Sequence, residues 1–110
     1  MAKLSTLSLG AQSGRSYAFE VYPSGTTFKP LGAVYAVGKR FPAGDGTYTQ
    51  NVLYIGETAD LSERFDDHHK AECFKSREAN CINILLEGNH DTRLQIEADL
   101  IAKQNPPCNG

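Results

Sequence analysis

The order of strand-like and helix-like segments constrains the fold of this 110-residue chain more than any other feature. Segments of strand length, separated by turn-forming residues, fill the first half, whereas helical spacing of apolar residues begins only near residue 60. Strands that follow one another in sequence pair readily, and late helices can cover the resulting sheet. The order therefore predicts an α+β domain, with a small antiparallel or mixed β-sheet flanked by helices.

Five segments are predicted to be strands. The first two, 4–9 and 15–22, are separated by a turn signal at Gly14 and predict an amino-terminal β-hairpin. A polar loop that contains proline and glycine is expected over 41–50, between two of the later strands. These later strands are predicted at 32–37, 51–56 and 80–86.

Two helices are predicted in the second half. The segment 60–63 has the pattern of a capping box, with aspartate in place of serine or threonine, and opens a helix that runs to about residue 74. Thr92 and Gln95 have the spacing of a second capping box. They predict a helix over 92–104, which the following prolines end.

Length and composition predict a single domain over residues 1–110. A hydrophobic content of 40% and a charged content of 22% are typical of globular chains. The formal net charge of −2 gives no general attraction to nucleic acid, so that any polyanion site must be local. No apolar run approaches the ~20 residues of a membrane span, and no signal-peptide pattern is present. A cytoplasmic protein with no membrane partner is therefore expected.

The three cysteines predict reduced thiols. Cys73, Cys81 and Cys108 are odd in number and widely spaced, which suits a cytosolic protein better than a disulfide framework. His69 and Cys73 have the i, i+4 spacing of a zinc half-site that the other cysteines would complete, but no second close-set pair supports it. The acidic and histidine run over 66–69 could also suggest a metal cluster. Adjacent helical residues point in different directions, however, so a solvated helix face is the favoured interpretation of its aspartates.

Glu97 is the most unusual residue of the last predicted helix. It lies between Leu94 and Ile101 on the apolar stripe, and the opposite side is predicted to carry Gln95, Asp99 and Lys103. A carboxylate on an apolar face requires a cation, a metal ion or a hydrogen-bond donor to offset its desolvation. A rim position or a salt bridge to an arginine such as Arg64 or Arg93 is one solution, and a bound metal ion is another.

Several residues in a fixed order accompany this carboxylate. They are Ala33-Val34-Tyr35, Tyr54-Ile55-Gly56, Arg64 ten residues after Tyr54, His68 one helical turn later, Glu97, and Asn109 twelve residues after Glu97. The set resembles the GIY-YIG nuclease family, and the segment 96–109 resembles the end of the excision-repair nuclease domain of that family. The resemblance covers residues 31–109 as the nuclease core and leaves residues 1–30 as an amino-terminal β-hairpin extension.

The chain departs from the family pattern at three points. The first motif reads Ala-Val-Tyr in place of Gly-Ile-Tyr and so keeps the tyrosine. The separation of Tyr35 from Tyr54 exceeds the usual distance because of the 41–50 segment. Glu57 occupies the position at which several members carry a lysine near the scissile phosphate.

The resemblance implies a metal-dependent endonuclease that hydrolyses phosphodiester bonds in DNA and leaves 5′-phosphate and 3′-hydroxyl ends. One divalent ion, Mg²⁺ or Mn²⁺, would be held by Glu97, because Mg²⁺ keeps several waters and takes substrate oxygens as its other ligands. Arg64 would neutralise charge on the phosphoryl oxygens. Tyr35 and Tyr54 would orient the attacking water and accept its proton, a task that needs nearby cations to lower the phenol pKa.

Two further roles follow from the same resemblance. His68 would relay a proton or hold a phosphate, and Asn109 would bond a tyrosine hydroxyl or tether the tail against the active face. The expected partner is a nucleic acid, DNA under this resemblance. Because few basic residues are spare, a protein partner that supplies substrate recognition, a structured junction, or a damaged or single-stranded substrate is also expected. The alternative is a catalytically weakened GIY-YIG-like module that binds nucleic acid or a protein partner.

Overall fold

An antiparallel β-sheet carries most of the strand-like segments. The computed structural model describes residues 3–63 and 69–109. Within these ranges the strands are β1 (Ser5–Gly10), β2 (Ser16–Pro23), β3 (Ala33–Pro42), β4 (Tyr48–Thr58) and β5 (Cys81–Leu86). They form one sheet in the order β1-β2-β5-β3-β4, and each neighbouring pair is antiparallel. The predicted α+β class is confirmed.

The amino-terminal hairpin is an integral part of this sheet. β1 pairs with β2, and β2 continues the sheet by pairing with β5, where Tyr22 lies opposite Ile82. The hairpin therefore widens the sheet on one side, and β4 forms the edge on the other side.

The long β3–β4 hairpin differs from the sequence prediction. Most of the predicted loop over 41–50 is strand, and only residues 43–47 connect the two strands. Gly44 and Gly46 have φ angles of 91° and 88° in this connection, a conformation that glycine adopts without steric cost. The strand ends are half-buried or exposed and mix polar residues with Phe41 and Tyr48. The main-chain hydrogen bonds that extend these ends therefore leave no regular apolar periodicity in the sequence.

Side chains alternate between the two faces of the sheet and build a core on each face. On the first face the buried cluster comprises Ala33, Tyr35, Val37, Leu53, Tyr54, Leu61, Ile82, Ile84 and Cys108. On the second face it comprises Leu9, Ala11, Phe19, Val34, Ala36, Ile55 and Leu100. Because β3 is buried on both faces, its apolar residues run continuously instead of alternating with polar ones.

The first predicted helix is interrupted. Residues 61–63 form one 3₁₀ turn, residues 69 and 70 form a turn, and helix α1 spans only Ala71–Ser76. The predicted capping residue Asp60 accepts a hydrogen bond from the Ser62 amide at 2.8 Å, which closes an Asx turn instead of capping an α-helix. The prediction of one helix from residue 60 to about 74 is therefore confirmed over 71–74 and wrong for 61–63 and 69–70, while residues 64–68 lie outside the described ranges.

The second predicted helix is present as α2, which spans His90–Gln104. It begins two residues early because Asn89, and not Thr92, is the N-cap: the Asn89 side chain accepts a hydrogen bond from the Thr92 amide at 2.9 Å. It ends as predicted, with Asn105 in the left-handed conformation donating its amide to Ile101. None of the helices in the described ranges combines the length and apolar character that crossing a membrane requires.

The inward side of α2 is rotated relative to the prediction. Arg93 and Leu100 are its fully buried residues, whereas Leu94 is 42% exposed. Glu97, which lies between Arg93 and Leu100 in sequence, is half-buried. Asp99 does not simply face solvent, because it accepts hydrogen bonds from the Ser13 amide at 2.8 Å, the Ser13 hydroxyl at 2.6 Å and the Tyr17 hydroxyl at 3.1 Å. It therefore joins α2 to the β1–β2 hairpin.

We expect Asp99 to make the stability of this junction pH-dependent. The Ser13 hydroxyl, followed by the Ser13 amide and the Tyr17 hydroxyl, holds the pKa of Asp99 below its ordinary value of 3.8, against partial burial. A carboxylate whose pKa is lower in the folded state than in the unfolded state stabilises the folded state. This stabilisation is complete at pH values above the unfolded-state pKa, and it is lost as the pH falls through the folded-state pKa. The stability gap between wild type and Asp99→Asn should therefore be full at neutral pH and narrow below 3.8. Urea denaturation across this pH range measures the gap, and a gap independent of pH would contradict the role.

A disulfide joins Cys73 to Cys108 across 35 residues. The prediction of three reduced thiols is wrong for this pair, and it holds only for Cys81, which is free and buried. Sequence spacing gave no sign of the bridge, because α1 and the last turn meet only through the fold. The possible zinc site of His69 and the three cysteines therefore loses two of its four ligands, since disulfide sulfurs are not thiolate ligands.

Candidate active site

Tyr35 and Tyr54 lie side by side on the first face of the β3–β4 pair. Tyr35 is opposite Gly56 in the register and Tyr54 is opposite Val37, so both rings project from the same face. Their ring centroids are 6.1 Å apart and the ring planes are inclined by 36°. The two tyrosines of the sequence motifs are thus brought into contact, although 18 residues separate them in the chain.

Gly56 provides the space that this arrangement needs. A Cβ atom at this position would lie 2.6 Å from Tyr35 Oη, 2.7 Å from Tyr35 Cζ and 2.8 Å from Tyr54 Cε2. Such distances are far inside van der Waals contact. The glycine of the Tyr54-Ile55-Gly56 motif is therefore required by the packing of both rings, and not by a turn.

The Tyr54 ring is enclosed by residues from the segment that leads into α1. The His69 ring meets it edge-on at a centroid distance of 5.9 Å, and the Phe74 ring meets it at 5.7 Å. Tyr54 keeps 8% of its surface exposed, whereas Tyr35 is completely buried. Of the two rings, Tyr54 is therefore the one nearer to solvent.

Asn109 attaches the carboxy-terminal turn to the edge strand. Its Oδ1 accepts the Ile55 amide at 2.9 Å, and its Nδ2 donates to the Ile55 carbonyl at 2.9 Å. The side-chain amide thus mimics the main chain of another strand and satisfies an otherwise open part of the β4 edge. The expected contacts of Asn109 were a hydrogen bond to a tyrosine hydroxyl and a tether for the tail, and these hydrogen bonds are a tether. The residue that Asn109 binds, Ile55, directly follows Tyr54 in the chain.

Glu97 is carried by α2, which covers the second face of the sheet. Leu100, one turn later, packs into the second-face cluster, and α2 contacts β4, β3 and β1. The helix that holds the candidate metal ligand and the tyrosine rings therefore lie on opposite sides of the same strand pair. The other two predicted site residues, Arg64 and His68, lie outside the described ranges.

A buried ion pair lies next to the second tyrosine motif. Arg93, which is 4% exposed, donates from Nε to Glu57 Oε1 at 3.0 Å. The same guanidinium donates from one terminal nitrogen to the carbonyl oxygens of Glu87 and Gly88, each at 3.0 Å. His90 Nδ1 lies 3.4 Å from the same Glu57 oxygen. The Glu57 carboxylate is thus compensated by a fixed cation.

This pair was missed by sequence reasoning. Arg93 was considered as a partner for Glu97, yet its guanidinium is bound to Glu57 and two main-chain carbonyls. The available signal was Arg93 itself, which lies on the same helical stripe as Leu100 and must carry a partner if it is buried.

The donor set fits a hydrated hard cation better than a metal cage. Among residues 3–63 and 69–109, no group of three or more histidine, cysteine, aspartate or glutamate side chains is arranged to hold a metal ion. Glu97 is a single oxygen donor, and a single carboxylate suffices for Mg²⁺ when waters and substrate phosphate supply the remaining ligands. The Glu97 carboxylate is therefore chemically suited to Mg²⁺, but its helix covers the face opposite to the tyrosine rings, and the described residues give no support to a zinc site.

Comparisons with protein-family models, with curated proteins and with solved structures give no significant match to this chain. Function must therefore be inferred from the side chains and their placement.

Proposed function

We propose that this protein is a metal-dependent endonuclease of the GIY-YIG type, which hydrolyses phosphodiester bonds in DNA and leaves 5′-phosphate and 3′-hydroxyl ends. The observation that carries the proposal is the contact between Tyr35 and Tyr54 on one face of β3–β4, made possible by Gly56. Both phenols stand at the motif positions, and Tyr54 keeps 8% of its surface exposed, which favours Tyr54 as the tyrosine that meets the substrate.

The reaction assigns one task to each residue. The Tyr54 hydroxyl orients the water that attacks phosphorus, and Tyr35 supports that hydroxyl from the neighbouring strand. Arg64 balances the charge that gathers on the phosphoryl oxygens, and His68 takes up or relays the proton. Glu97 would hold a divalent ion that supplies Lewis-acid stabilisation, and this role requires the phosphate to contact both faces of the β3–β4 pair, because α2 covers the face opposite to the tyrosine rings. The bond from phosphorus to the 3′ oxygen breaks, and that oxygen takes a proton from solvent.

The Glu57–Arg93 pair supports the proposal. An uncompensated carboxylate next to Gly56 would repel an approaching phosphate, whereas the guanidinium 3.0 Å away offsets that charge. Because Arg93 is buried, solvent ions screen this compensation less than they would screen a surface pair.

The overall charge limits how the enzyme would find its substrate. A net charge of −2 gives weak electrostatic attraction to plain duplex DNA. We propose that a protein partner, or a structured or single-stranded DNA substrate, supplies the additional affinity.

A second candidate function is a non-catalytic module with the same fold, which binds nucleic acid or a protein. The complete burial of Tyr35 and the position of Glu97 on the helix that covers the other face favour this candidate. Its signature would be binding with a shallow salt dependence and no Mg²⁺-dependent cleavage.

The two candidates are distinguished by a cleavage assay. The wild-type protein is incubated with supercoiled plasmid, branched DNA and RNA, in Mg²⁺, Mn²⁺ or EDTA. We expect metal-dependent nicking of DNA that DNA ligase can seal, because ligase requires a 5′-phosphate and a 3′-hydroxyl. Tyr54→Phe should lose about 100-fold or more of the rate, while Tyr48→Phe, at a tyrosine that is 55% exposed, should lose none. Cleavage that persists in EDTA, or no cleavage of any substrate, would overturn the proposal.

A further inference from the structure

The Cys73–Cys108 disulfide connects two segments that are too short to be stable alone. Helix α1 has six residues and none of them is fully buried. The carboxy-terminal 3₁₀ turn, Pro107–Asn109, has three residues. A single helical turn fixes several main-chain angles for few hydrogen bonds, so isolated pieces of this length do not persist in water.

Both connected segments contact the second tyrosine motif. Phe74, next to Cys73, packs its ring against Tyr54. Asn109, next to Cys108, holds the Ile55 amide and carbonyl. The disulfide is therefore a covalent bridge between the segment that covers the Tyr54 ring and the turn that covers its edge of β4.

We propose that this disulfide is a redox-controlled clamp on the Tyr54-Ile55-Gly56 segment, closed when Cys73 and Cys108 are joined and opened by a dithiol reductant. In the opening reaction a reductant thiolate attacks Cys73 Sγ, and the bond to Cys108 Sγ breaks. The released Cys108 thiolate takes a proton. The second thiol of the reductant then displaces Cys73 from the mixed disulfide, so that two electrons and two protons pass to the protein and the reductant becomes a disulfide.

Exposure determines which sulfur is attacked. Cys108 is 2% exposed and lies within the first-face cluster, whereas Cys73 is half-buried on the short helix. Local opening of α1 therefore gives a reductant access to Cys73 without unfolding the sheet. Cys81 is a poor competitor for exchange, because burial raises the pKa of its thiol to about 11.

Reduction removes the covalent anchor of the last turn. The contacts that remain among the described residues are non-covalent and include the packing of Cys108 and of the buried Pro106 and the two hydrogen bonds of Asn109. The disulfide restricts the residues after α2 even when the turn is open. Once it is reduced, these residues gain conformational freedom in the open state, and ordering them again costs more entropy. The open form of the turn is consequently populated once the bridge is broken. The effect of opening on DNA cleavage rests on the proposed function, whereas the opening itself does not.

Amide hydrogen exchange of the full chain tests the clamp. The Ile55 amide reports directly, because it donates to Asn109, and the Ile84 amide in the central strand β5 reports global unfolding. After reduction with a dithiol, we expect the number of thiols labelled in denaturant to rise from one to three and Ile55 exchange in the folded protein to accelerate about 100-fold relative to Ile84. Equal acceleration of both amides, or no acceleration, would overturn the clamp.

Matched variants separate the clamp from other effects of the reductant. Cys73→Ser should show fast Ile55 exchange with or without dithiol, and Asn109→Ala should show it while the disulfide is intact. Cys81→Ser keeps the bridge and should respond to dithiol as wild type does. If Cys81→Ser loses the response, the clamp is assigned to the wrong cysteines. Plasmid cleavage followed in parallel should fall on reduction, and absence of cleavage in both redox states would count against the nuclease proposal while leaving the exchange result valid.

Discussion

Replacement of Glu97 by glutamine is expected to abolish metal-dependent DNA cleavage, with a loss of at least about 1000-fold. Glu97 is the one carboxylate assigned to the metal ion, and a neutral amide oxygen is a much poorer ligand for Mg²⁺ than a carboxylate. The other ligands would be waters and substrate oxygens, and no group of metal-binding side chains among residues 3–63 and 69–109 is arranged to replace Glu97.

The same substitution should leave the fold intact. Glu97 is half-buried between Arg93 and Leu100 on α2, and glutamine keeps the length and shape of the side chain. Thermal unfolding and far-ultraviolet circular dichroism of Glu97→Gln should therefore match those of wild type. A variant that unfolds would indicate that the negative charge of Glu97 is needed for the fold.

Glu72→Gln is the matched control for this experiment. Glu72 is an exposed helical glutamate in the first turn of α1, so its neutralisation changes the net charge by the same amount without touching the proposed site. Cleavage retained in Glu97→Gln, or lost equally in Glu72→Gln, would remove the metal-binding role. A titration of rate against Mg²⁺ concentration should further show weak metal affinity in wild type, as expected of a site completed by substrate.

The sheet was predictable because its strands carry local signals. Residues 15–22 are bounded by turn-forming residues, and residues 33–37 form an apolar run of strand length, which β3 buries on both faces. The contact of Tyr35 with Tyr54 followed from placing both motifs on neighbouring strands. Predicted strand ends were least accurate in the β3–β4 hairpin, where main-chain pairing extends strands that carry no apolar pattern.

The helical half was less predictable because its residues are determined by partners distant in sequence. Arg93 is buried because Glu57 and two main-chain carbonyls accept hydrogen bonds from its guanidinium. Apolar periodicity alone predicts Leu94 on the buried side of α2, but Leu94 is exposed. Asn89 caps α2 ahead of the more familiar Thr92 pattern. The disulfide depends on two segments that meet only in the folded chain. The roles of Arg64 and His68 stay predictions.

Substitution of Gly56 by alanine is expected to destabilise the protein by about 3 kcal/mol or more, because the added methyl group would overlap both tyrosine rings. Tyr35 is completely buried and cannot move aside without displacing the first-face core. Gly56 does not have a positive φ, so that the main chain itself would accept alanine. The expected loss is therefore steric and should lower the melting temperature by about 10 °C or more.

Gly10→Ala is the control, because a Cβ atom at Gly10 would meet nothing within 4 Å. Its melting temperature should stay within a few degrees of wild type. In the double variant Tyr35→Phe with Gly56→Ala, the hydroxyl contact at 2.6 Å disappears while the contact with the ring carbon at 2.7 Å remains. We therefore expect partial rescue, seen as a positive coupling in a double-mutant cycle. A Gly56→Ala protein as stable as Gly10→Ala would mean that the rings are not packed over this glycine. The adjacency of the two phenols, from which the nuclease proposal is argued, would then be lost as well.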